Sequence, residues 1–171
     1  MKKLIKNFLG AAICMACLSA PLLGVECIDK YAKDIPGIGL ISDSIEFDGI
    51  TISQFRFNND KKYIFVEPGQ AFTAYMHYAI DASQLETLHR HHLIIGLHED
   101  GPQECILHSY GIMNSEGDVD VNMKAPKKEG TYQVRFCHSV GLSDDDAKTA
   151  WWKGEGPSAK TIVGIVVVKK K

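Results

Sequence analysis

Asp118-Val119-Asp120-Val121-Asn122-Met123 alternates polar and apolar side chains without a break. In an extended chain successive side chains point to opposite faces, so this period puts Val119, Val121 and Met123 against a core and Asp118, Asp120 and Asn122 in water. A strand with one wet face belongs to an antiparallel sheet. The flanking sequence repeats the theme. Residues 50–57 alternate, Asn58-Asn59-Asp60 turns the chain, and Tyr63-Ile64-Phe65-Val66 is a short strand stopped by Pro68-Gly69. Residues 71–80 form an aromatic-rich strand. His91-His92-Leu93-Ile94-Ile95-Gly96-Leu97-His98 reads as a central strand, and residues 105–110 return from the turn at 99–103 as its hairpin partner. Residues 132–137 and 161–168 supply two more strands. Only residues 143–152 differ: Ser143 or Asp144 suits an N-cap and three acids suit the first turn, which predicts one short helix near 144–152. Seven or eight short strands with turn signals between them predict an all-β sandwich.

Gly130-Thr131-Tyr132-Gln133-Val134 follows Ala125-Pro126 and a short polar turn. A tyrosine at such a corner of a sandwich folds its hydroxyl back onto upstream backbone and pins the loop between sheets. Tyr132 is the candidate, with an ordinary half-buried strand tyrosine as the alternative.

The N-terminus has a different character. Lys2, Lys3 and Lys6 precede an apolar run at 8–18, and Ser19, Ala20 and Gly24 follow. Positive charge, a short apolar run and small residues, in that order, are the pattern of a cleaved secretory signal, here residues 1–24. A membrane span needs about 20 apolar residues, more than this run supplies. Lipidation at Cys17 is a second reading of the same segment, although Cys14-Met15-Ala16 is a poor match to the motif that precedes lipidated cysteines. Residues 25–44 read as a leader or loop, and 45–171 as a single domain. Cleavage removes three of the 19 bases and none of the 21 acids, so the formal charge moves from −2 to −5. That balance lacks the basic stripe that nucleic acid requires. The mature chain has no further apolar segment of membrane-spanning length. The expected location is the periplasm, the cell surface or the medium.

Cys27, Cys105 and Cys137 remain after cleavage. Disulfides persist outside the cytoplasm, and Cys105 and Cys137 both fall in strands, which makes them the candidate pair. Two buried free thiols are the alternative, because a bridge requires Cα atoms within about 7 Å.

Residues 94–168 resemble a widespread group of exported bacterial β-sandwich domains of immunoglobulin-like type. The resemblance is carried by Ile94-Ile95-Gly96-Leu97, Cys105-Ile106 with Gly111, Lys124-Ala125-Pro126, Gly130-Thr131-Tyr132-Gln133-Val134, Asp146-Ala147, Trp151 and Thr161-Ile162-Val163-Gly164-Ile165-Val166-Val167. It implies an antiparallel immunoglobulin-like sandwich and export, and no reaction. Members of the group often carry paired cysteines before this block, where His89-Arg90-His91-His92 stands here.

Six of the seven histidines lie between His77 and His108, and His138 adjoins Cys137. Imidazole and thiolate are ligands for zinc, copper or iron. On a strand His89 and His91 share one face and His92 and His98 the other, so the candidate metal set is His89 and His91 with His77 or His138 from a neighbouring strand. Residues 90–95 and 136–142 resemble, loosely, the ligand segments of superoxide reductases, which are also small immunoglobulin-like sandwiches and hold iron with four imidazoles and a cysteine. In that family the last histidine lies several residues beyond the cysteine, whereas Cys137 and His138 are adjacent and point to opposite faces of a strand.

The sequence contains no nucleophile elbow, phosphate-binding glycine loop or His-Glu-x-x-His. Asp118 and Asp120 suit calcium or simply a wet strand face, and Asp144-Asp145-Asp146 suits a helix cap. Trp151 and Trp152 suit an exposed stacking surface for a partner or a satellite core. The favoured expectation is a non-enzymatic binding or structural module with no cofactor and a protein or carbohydrate partner at the cell envelope. The second is a periplasmic metal-binding or redox protein built on the histidines.

Overall fold

The alternating stretch is the inner part of a ten-residue strand, β7 (Ser115–Lys124), whose Val121 and Met123 are buried and whose Asp118, Asp120 and Asn122 are exposed. The computed structural model describes residues 34–81, 90–110, 115–152 and 158–171, with Ala32 and Ser83. The signal-like segment 1–24, Cys17, Cys27 and His89 lie outside the described residues.

The other strands are β1 (Ser44–Phe47), β2 (Ile50–Phe57), β3 (Tyr63–Val66), β4 (Ala71–Ile80), β5 (Arg90–Leu97), β6 (Gly101–Tyr110), β8 (Gly130–Val140) and β9 (Ile162–Val168), joined among the described residues by an α-helix, α1 (Asp144–Thr149), and short 3-10 helices at Ile38–Leu40 and Ala159–Thr161. They form two sheets. One is four-stranded, in the order β1-β2-β4-β7; the other is five-stranded, in the order β3-β9-β8-β5-β6. Every pairing is antiparallel except β3 with β9, which is parallel.

The inner faces meet in one core. Ile50, Ile52, Met76 and Val121 come from the four-stranded sheet, and Leu93, Ile95, Leu97, Val134 and Phe136 from the five-stranded sheet. Each such side chain contributes about 1.5–3 kcal/mol when fully buried, which is what holds the layers together. One glycine lets the layers close and another lets a hairpin close. At Gly164 a Cβ would stand 2.5 Å from the Phe55 ring. At Gly96 it would run into the Gly101 carbonyl oxygen, where the β5–β6 pairing shifts register. That tight approach shortens the expected turn: β6 starts at Gly101, four residues earlier than the sequence signals suggest, with Gly101 itself at φ 123°.

The corner tyrosine forms as expected. Tyr132 is buried in the main core and its hydroxyl donates to the Lys128 carbonyl at 2.9 Å. The helix also forms, with Ser143 as N-cap accepting from the Asp146 amide and three acids in the first turn.

The outer faces of the two sheets are not equivalent. On the five-stranded sheet, Tyr63, Ile162 and Ile165 are covered by the segment around Ile35, Ile38 and Ile41. The described part of the expected leader therefore packs onto the domain, with Ile35 buried. Elsewhere on the same sheet, Ile94 and Cys137 are covered by Ala147 of α1 with Trp151 and Trp152. The outer face of the four-stranded sheet is polar and open, as the exposed row on β7 shows.

Candidate functional site

The period of two along β5 separates its histidines. His91 lies on the inner side with Leu93 and Ile95, at the open end of the sandwich, while His92 lies on the outer side with Ile94. Each has become part of a different polar cluster.

His91 meets His138 of β8, Nδ1 to Nε2 at 2.8 Å, and His138 Nδ1 lies 3.0 Å from Asp48 in the β1–β2 turn. The Asp48 carboxylate accepts from the His138 Nδ1–H, which leaves His138 Nε2 to accept from His91 Nδ1–H. This chain ties the turn of one sheet to two strands of the other. Burial lowers the His138 pKa from its ordinary value, outweighing the opposite pull of Asp48.

Two of the four expected metal ligands, His91 and His138, are thus neighbours. His77 is not with them. It lies on the outer face of the four-stranded sheet, 3.0 Å from Asp118, which also accepts from the Tyr75 hydroxyl at 2.7 Å. The sheet itself stands between His77 and the other two, so no single ion joins the three. His138 and Cys137 point to opposite faces, as adjacent strand residues must: Cys137 packs outside with Ile94.

Cys105 and Cys137 are free thiols. The disulfide considered for them does not form, and the register explains why. Both are Cα partners of Ile94, Cys105 from β6 and Cys137 from β8. Two strand spacings, about 9.5 Å in all, separate them, beyond the reach of a disulfide. Burial pushes the Cys105 thiol up to about 11, helped by Asp144, and the Cys137 thiol up to about 12.

Trp151 and Trp152 take the satellite-core alternative. Both are half-buried against Ile94, Cys137 and Ala147.

One cluster was not legible in the sequence. His92 of β5, Cys105 of β6 and Asp144 of α1 bring a ring nitrogen, a sulfur and a carboxylate oxygen within 4.8 Å of one another. Cys105 Sγ is 3.5 Å and Asp144 Oδ1 3.3 Å from His92 Nδ1. The three residues are far apart in the chain. They meet only because the bulge after Leu93 aligns β6 and because Ser143 starts α1 over the sheet. The same register sets His108 opposite His92.

The open face of the four-stranded sheet is a second preorganised surface. Thr73 donates to Asn122 at 3.1 Å, Tyr75 and His77 converge on Asp118, and the Arg56 guanidinium lies 3.9 Å above the Tyr75 ring. The face runs into a depression of about 410 Å³ lined by Thr51, Ala79, Ile80, Asp81, Ser115 and Glu116. Neither the family models nor the curated proteins include a match to this chain.

Proposed function

We propose that the chain is an exported, non-catalytic binding module of the cell envelope with an immunoglobulin-like sandwich fold, and that it recognises carbohydrate through the outer face of its four-stranded sheet. The observation that carries this reading is the asymmetry of the two outer faces. One is covered by α1, the tryptophans and the segment around Ile35; the other presents Thr73, Tyr75, His77, Asp118, Asp120 and Asn122 to solvent on a rigid support.

The chemistry of that face selects the partner. Centres of protein–protein interfaces are depleted in Asp and Glu, whereas Asp118, Asp120 and Glu116 stand on this face. Carboxylates, an amide and hydroxyls side by side match the hydroxyls of a sugar. The bonds among Tyr75, His77 and Asp118 fix their rotamers before a ligand arrives, which lowers the entropic cost of binding. The Tyr132 corner supports the immunoglobulin-like assignment. The order of charge, apolar run and small residues in 1–24 supports export.

The test is capture of purified envelope polysaccharides by the immobilised mature domain. The expected result is binding that Asp118→Ala with Asp120→Ala removes while circular dichroism stays unchanged. Retention of wild-type binding by that variant, or failure of every polysaccharide to bind, would overturn the reading.

A further inference from the structure

His92, Cys105 and Asp144 lie under α1 on the covered side of the molecule, on the sheet opposite the proposed carbohydrate face. The His92 side chain is fully buried, Cys105 is half-buried and Asp144 is about half exposed. The tautomer of His92 follows from its second nitrogen. Nε2 lies 3.0 Å from the Gly141 carbonyl oxygen, which can only accept, so Nε2 carries a proton and Nδ1 is the nitrogen left to face a metal. A backbone carbonyl holding the far nitrogen of an imidazole is the outer-shell arrangement usual for metal-ligating histidines.

Nδ1 faces a carboxylate oxygen at 3.3 Å, with a sulfur at 3.5 Å. A proton shared between an imidazole and a carboxylate draws the heavy atoms to about 2.7–2.9 Å. A metal holds them further apart. With zinc bonds of about 2.0–2.3 Å to N, O and S, the edges of a tetrahedron run to about 3.4–3.6 Å. The His92–Asp144 separation matches such an edge more closely than a charged hydrogen bond, and the Cys105–His92 separation fits an edge as well as it fits a thiol hydrogen bond.

From this geometry we propose that His92 Nδ1, Cys105 Sγ and Asp144 Oδ1 form a three-ligand site for a divalent, borderline-soft cation of the zinc type, with a fourth position left for water or a ligand. The charges balance: a thiolate and a carboxylate neutralise a dication, and the imidazole adds none. Binding replaces the thiol proton, which leaves to solvent, by an S–metal bond. The mixed nitrogen, sulfur and oxygen donors suit zinc better than magnesium or calcium, which take oxygen, or copper(I), which favours soft donors alone.

Cobalt(II) is the probe, because a tetrahedral thiolate-bound cobalt absorbs differently from the hydrated ion. Titration of the untagged mature domain under reducing conditions is expected to give one equivalent with tetrahedral visible bands and a sulfur-to-cobalt band in the near ultraviolet. Zinc should displace it stoichiometrically. Cys105→Ser should abolish the sulfur band, and Asp144→Asn should weaken binding at least about tenfold, the scale on which even outer-shell changes act. Both positions are partly exposed, so both variants are expected to fold, with circular dichroism as the check. The proposal is overturned by an octahedral spectrum, by a sulfur band that survives Cys105→Ser, or by binding that depends on His91 and His138 instead. Polysaccharide capture by the cobalt-free domain reports on the other face and is expected to be unaffected.

Discussion

Cys105 and Cys137 stand opposite the same residue, Ile94, on the two flanks of β5. A whole strand therefore separates them, on a face where both are shielded by α1 and the tryptophans. The chain should carry two unbridged thiols at these positions. Alkylation in denaturant without reductant, followed by peptide mass analysis, is expected to label both. A peptide joining Cys105 to Cys137 would contradict the register of the five-stranded sheet.

Tyr132→Phe removes only the hydroxyl that donates to Lys128, leaving the ring in the core. The expected cost is about 1 kcal/mol, the usual worth of one such bond. It should appear as a lower urea midpoint with an unchanged slope. No change at all would mean that the corner bond does not hold the loop.

The histidine chain at the open end makes stability depend on pH in one direction. The folded-state pKa of His138 is lowered, chiefly by burial. The unfolded chain therefore takes up a proton first as pH falls through about 6.5. The contribution of neutral His138 is fully present above that pH and is lost as pH falls toward the folded-state value. Urea midpoints measured from pH 7.5 to 5.5 should fall more steeply for the wild type than for His138→Asn. Parallel curves would contradict the assignment.

Gly96→Ala and Gly164→Ala differ in what the new methyl group meets. At Gly96 it meets backbone of the β5–β6 turn; at Gly164 it meets the Phe55 and Phe57 rings, side chains that shift more readily than backbone does. Overpacking costs about 1–3 kcal/mol where neighbours give way. Gly164→Ala should fall in that range and Gly96→Ala should exceed it, as read from thermal midpoints. The reverse order would contradict the close approach at the bulge.

Ser143→Ala deletes the cap of α1, whose hydroxyl accepts from the Asp146 amide at 3.2 Å. The expected loss is about 1 kcal/mol. Because α1 positions Asp144, the same variant should also weaken cobalt binding without removing the sulfur band.

Much of the fold was legible in the sequence because its signals are local. The two-residue period at 118–123, the turn at 58–60 and the cap at Ser143 each act within a few residues, and each appears where expected. The limits of β6 were less legible: a turn rich in charge and glycine looks longer than it is when Gly96 lets the backbone close early. Site residues were the least legible. His92, Cys105 and Asp144 meet through a bulge and a helix start, and neither leaves a mark on their spacing. His77 and His138 looked equivalent as partners for His91, yet which sheet each strand joined decided between them. The pairing of Cys105 with Cys137 needed the strand order, which no local pattern contains.

The most direct test of the proposed function is a residue-resolved nuclear magnetic resonance titration of residues 25–171 with a soluble polysaccharide fragment that the domain captures. The account predicts shifts concentrated at Thr73, Tyr75, His77, Asp118, Asp120 and Asn122, with the amides around Ile94 and Ala147 unmoved. Shifts concentrated on the α1 side, with the four-stranded face silent, would contradict it.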